Sequence, residues 1–148
     1  MNDSAGEVSR RATSWRWVAG INGLGALIAA GFAVASAIDP ALPGGGSVDS
    51  LVRLYAGTYV VRAVPLAAAL VVLLARPRPA PGLVPLLVVA GLAQAGDAVV
   101  GATYSQPAML AGGGLYAVIH LATAAWLWIR TPAAVVRPAQ STDAAGSS

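Results

Sequence analysis

The chain of 148 residues has no cysteine, no lysine and a single histidine, and only 10% of its side chains are charged. Without cysteine there is no disulfide framework, no thiolate metal site and no cysteine nucleophile. One histidine alone cannot build a typical zinc site, so no metal is expected. The glycine runs at 44–46 and 112–114 are not followed by G-K-[ST], which excludes a phosphate-binding loop, and neither H-E-x-x-H nor G-x-S-x-G occurs. No cofactor is expected. Strand alternation is missing too, and a closed membrane barrel needs more strands than this length supplies. Nucleic acid is a poor partner, since the arginines behind the formal net charge of +3 are scattered over short connections and form no basic helix face. All nine lysine-or-arginine positions are arginine and alanine is abundant, a coding bias expected of a GC-rich bacterial genome.

What the sequence has is apolar surface: 57% hydrophobic residues and a mean hydropathy of +0.69. A soluble domain of this length is far more polar, and the chain has room for one bundle without a further soluble domain. Four segments are long enough to cross a hydrocarbon core about 30 Å thick at 1.5 Å per residue. They run over about 15–38, 51–75, 83–103 and 109–129. Asp39, Pro40, Pro43 and the glycines at 44–46 break the chain after the first, and Pro77, Pro79 and Pro81 after the second. Only YSQPA separates the third from the fourth, which requires a hairpin. The expected fold is all-α, an antiparallel four-helix transmembrane bundle flanked by tails over 1–14 and 131–148, the latter disordered.

Arg10, Arg11 and Arg16 precede the first span, Arg76 and Arg78 lie between the second and third, and Arg130 and Arg137 follow the fourth. All fall on one side, whereas the opposite loops carry Asp39, Asp49 and only Arg53. The positive-inside rule then gives cytoplasmic termini and a multi-pass protein of the plasma membrane. Trp15, Trp17, Trp126 and Trp128 fall near the inner interface, where indole rings favour a half-wet position. The first span also reads as a signal peptide with Ala35-Ser36-Ala37 as its cleavage site, but its apolar part is longer than an ordinary signal and favours retention.

Inside this apolar frame lie a few polar side chains. Counted from the outer ends of the helices, Asp97 lies roughly 9 Å deep, Gln94 roughly 13 Å, Arg62 roughly 15 Å and His120 roughly 16 Å. A buried charge costs roughly 2.5–3.5 kcal/mol on insertion scales, so such groups face the interior and pair. Side chains lean toward the N-terminus of their own helix, which brings Arg62 and His120 toward Asp97 and Gln94. Tyr55, Tyr59 and Arg62 share one helix face, Gln94 and Asp97 a second, and Tyr116, His120 and Thr123 a third. Pro65, just after Arg62, is expected to kink its helix. Asn22 is expected to serve helix packing among Gly20, Gly23 and Gly25.

Each polar residue has a plain structural reading. Arg62 with Asp97 fixes helix register, His120 is an interhelical hydrogen bonder, and Tyr55 and Tyr104 anchor the interface. In the functional reading, Asp97, His120 and Arg62 are catalytic and Tyr59, Gln94 and Tyr116 contact the substrate. One acid, one base and a dry cavity suit isomerisation, cyclisation or epoxide opening of a lipophilic molecule.

The segments LYAGTYVVRAVPLAAALVVLLARP, PLLVVAGLAQAGDAVVGA and GGGLYAVIHLATAAWLW resemble a bacterial family of small four-helix membrane proteins known only as a domain of unknown function. The resemblance covers about 50–130 and implies the four-helix fold. It marks Arg62, Gly96-Asp97 and His120 and brings no activity. The expectations are an enzyme or binding protein for a lipophilic molecule, a structural or accessory subunit with a membrane partner or homo-oligomer, and, last, a proton-coupled carrier.

Overall fold

The computed structural model describes residues 3–42 and 47–130, with side chains from Thr13 onward. The chain is all-α: α1 (Asp3–Ile38), α2 (Ser50–Leu74), α3 (Leu83–Thr103) and α4 (Pro107–Arg130). Each contains a stretch long and apolar enough to cross a membrane, the first over Thr13–Ile38. The helix of α1 begins ahead of the apolar stretch, in the segment expected as a tail. The expected tail at 131–148 and the glycine run at 44–46 lie outside the described residues.

Local chemistry sets the helix ends. Asp49 is in extended conformation and its carboxylate accepts the N–H of Val52 at 2.9 Å, satisfying a donor that the first turn of α2 cannot pair internally. Gly82 takes φ 88° immediately before α3, a left-handed conformation open to a residue without Cβ. Pro107 opens α4 at a position where its missing N–H costs nothing. The connection before it is very tight, with Gln106 N–H donating to Gly101 C=O at 2.7 Å. Pro65 lies within α2 without dividing it.

α1 packs mainly on α2, and α3 mainly on α4. Close approach within the second pair depends on glycine: a Cβ added at Gly113 would lie 2.8 Å from the Ala98 nitrogen and the Gln94 carbonyl oxygen. Gly101 sits against Leu110, and Gly91 against Leu121. The two pairs meet along a seam that is packed unevenly. At the end carrying Arg76 and Arg78, Trp15, Leu70, Leu74, Leu83, Leu87 and Leu127 form a closed core. There Trp15 Nε1 donates to Arg76 C=O at 3.0 Å, so this indole is buried and not half-wet as expected, while Trp17 and Trp128 point outward. The outer faces display Leu24, Leu27, Val61, Val99, Val118 and Ile129, a surface suited to hydrocarbon. These four helices suit a multi-pass membrane protein.

Candidate functional site

Two polar bridges cross the seam. The first joins α2 to α3: Arg62 Nη2 donates to Asp97 Oδ1 at 2.8 Å. Its two ends differ, for the arginine side chain is 53% exposed and the aspartate 12%. The guanidinium also lies over the Tyr59 ring, 5.5 Å from its centroid, and Tyr59 meets Phe32 of α1 edge-on.

The second bridge joins α1 to α4. His120 Nδ1 lies 2.7 Å from Asn22 Oδ1, both side chains being fully buried. An amide oxygen only accepts, so the fitting tautomer carries its proton on Nδ1 and leaves Nε2 unprotonated. Asn22 Nδ2 in turn donates to Val18 C=O at 2.8 Å and to Thr123 Oγ1 at 3.0 Å. Asn22, expected to serve helix packing, does so through its hydrogen bond from α1 to the single histidine on α4. Its signal in the sequence was an amide within an apolar run, facing a histidine and a threonine one turn apart on another span.

Between the bridges is a cavity of about 30 Å³, lined by residues that include Tyr59, Arg62, Gln94, Asp97 and His120. Five of the six residues singled out from the sequence thus surround one small space large enough for a water molecule. His120 shares this wall with Asp97 while its hydrogen bond goes to Asn22. Tyr116, the sixth, packs against Gly25 and lies tilted on the imidazole, 6.2 Å between centroids, outside the lining of this cavity.

A much larger cleft of about 600 Å³ opens at the end of the bundle remote from the leucine core. Phe32, Tyr55, Tyr59, Val100, Tyr104 and Met109 are among its lining residues, and among the described residues no charged side chain lines it. Tyr55 and Tyr104, expected as interface anchors, form part of this wall. Tyr59 lines both cleft and small cavity, so its ring partitions an apolar space from the ion pair. Among the described residues no group of three or more histidine, cysteine or acidic side chains is arranged to hold a metal.

No protein-family model, curated protein or solved structure matches this chain. The resemblance read from its segments therefore reaches no further than a small protein of four apolar helices.

Proposed function

We propose that the chain is a multi-pass plasma-membrane protein that binds a lipophilic small molecule in the 600 Å³ cleft, with the Arg62–Asp97 pair behind Tyr59 as its polar end. The four helices run antiparallel, with the arginine-rich connections and both termini on the cytoplasmic side. The cleft then opens toward the outer half of the bilayer. The observation that carries this reading is the wall shared through Tyr59 between an apolar cleft and the small cavity that Arg62, Gln94, Asp97 and His120 help to line. Ligand sites are commonly concave, mostly apolar and provided with a few convergent polar groups. In the enzymatic form of this reading, Asp97 and the unprotonated His120 Nε2 supply acid and base for isomerisation, cyclisation or epoxide opening.

Native mass spectrometry of the protein released from detergent tests the binding. Wild type is expected to retain an apolar adduct. Val100→Trp, which fills the cleft, is expected to lose it at an unchanged unfolding midpoint. An adduct that survives Val100→Trp in full would count against the cleft.

A second reading is favoured by a specific observation. Both bridges join the same two helix pairs, across the seam where apolar packing is sparsest. On that reading the cluster is a clasp for register, and the protein is an accessory subunit.

A further inference from the structure

The two members of the ion pair are not equally reachable, and this asymmetry sets the sign of the ligand. Asp97 is turned inward with 12% of its side chain exposed, whereas 53% of Arg62 is accessible. A group arriving at the pair meets the cation first. Neither Arg62 nor Asp97 lines the cleft; Tyr59 stands between the cleft and the pair, with the guanidinium lying on its ring, and among the described residues none that lines the cleft carries a charge. The far flank of Arg62 borders a second groove along α2, lined by Arg53, Leu54, Gly57, Thr58, Val61 and Arg62, where among the described residues the charges are guanidinium groups. Among the described residues no carboxylate lines either approach, and Asp97 is the acidic partner of Arg62.

We infer that the ligand is a long-chain carboxylic acid whose carboxylate replaces Asp97 on Arg62. This rests on the reading that the cleft holds a lipophile, and adds its chemical class. Charge balance makes the exchange feasible inside a membrane. The acid enters uncharged, since an ionised carboxylate would pay the full cost of leaving water. At the pair its O–H bond breaks, the proton forms an O–H bond on the Asp97 carboxylate, and the ligand's carboxylate takes over the guanidinium. The site holds one cation and one anion before and after. Asp97 is thus an internal stand-in for the ligand, keeping Arg62 paired while the site is empty.

Binding of palmitic acid and of hexadecanol to purified protein in phosphatidylcholine nanodiscs tests this. Wild type is expected to bind both, palmitic acid roughly tenfold more tightly. Arg62→Gln should lose the preference and keep hexadecanol. Asp97→Asn, in which the ligand's proton must go to bulk water, should bind palmitic acid more tightly than wild type at pH 8, because the internal rival is gone. The double variant Arg62→Gln/Asp97→Asn leaves no unpaired charge and should bind both probes alike. Equal affinity of wild type for both probes, or weaker palmitic acid binding by folded Asp97→Asn, would overturn the inference while leaving the cleft reading intact. Failure of both probes to bind would overturn the cleft reading and the inference with it.

Discussion

Asp97 and Arg62 hold one hydrogen bond between them, yet their removal should have unequal consequences. Arg62→Gln leaves a carboxylate that is nearly enclosed and without its cation, a loss below the roughly 3–5 kcal/mol of a fully buried pair because Arg62 is half exposed. Asp97→Asn leaves a guanidinium already half exposed on a flexible stem that can extend toward the interface. The expected order of unfolding midpoints in nanodiscs is wild type and Asp97→Asn above Arg62→Gln, with the double variant recovering part of the loss. At the second bridge, Asn22→Ala removes the contacts to both His120 and Thr123. Interhelical hydrogen bonds contribute about 0.6 kcal/mol on average and up to about 1.7. A loss of about 1–2 kcal/mol is therefore expected, and an unchanged midpoint would mean that the imidazole finds another partner.

Among the helices, α3 and α4 depend on absent side chains. Backbone atoms of α3 face the position that a Cβ at Gly113 would take, and backbone cannot swing aside. Gly113→Leu should separate the pair and lower the unfolding midpoint strongly. Gly114→Leu should do little, because no atom lies within 4 Å of an added Cβ there. Equal effects of the two would contradict this packing. The helices themselves were legible from the sequence, since long apolar runs interrupted by Pro77, Pro79 and Pro81 leave few alternatives. So was the meeting of Arg62 with Asp97, because two opposite charges at similar depth in an apolar medium must pair. The destination of the histidine was not. Depth along an axis says nothing of rotation about it, and a small lean of side chains does not decide between Asp97 and Asn22 as partners. Trp15 misled for a related reason, as interfacial depth suits an indole whether it faces lipid or, as here, a carbonyl across a helix pair.

For the whole molecule, the uneven seam is the central feature. Leucines close it at the arginine-bearing end, two polar bridges cross its middle, and a cleft opens at the other end. A cavity beside the polar cluster was expected, but the larger cleft was not legible because it is walled by residues of all four helices, Phe32, Tyr55, Val100 and Met109 among them, which no single segment encodes. The proposed orientation has a simple check, as the natural chain lacks cysteine. Single cysteines at Ser47 and Ser105 should react with an impermeant maleimide added to intact cells, and one at Arg78 only after lysis. The reverse pattern would invert the orientation and with it the leaflet from which the cleft is reached.

Photo-crosslinking with a diazirine-bearing hexadecanol, followed by mapping of the modified residues, tests occupancy of the cleft most directly. Adducts are expected on Tyr55, Tyr59, Tyr104 and Met109, around the 600 Å³ cleft, and should be displaced by unlabelled hexadecanol. Adducts spread over outward-facing Leu24, Val61 and Val118, with none in the cleft, would contradict a bound lipophile and leave the seam as a structural clasp.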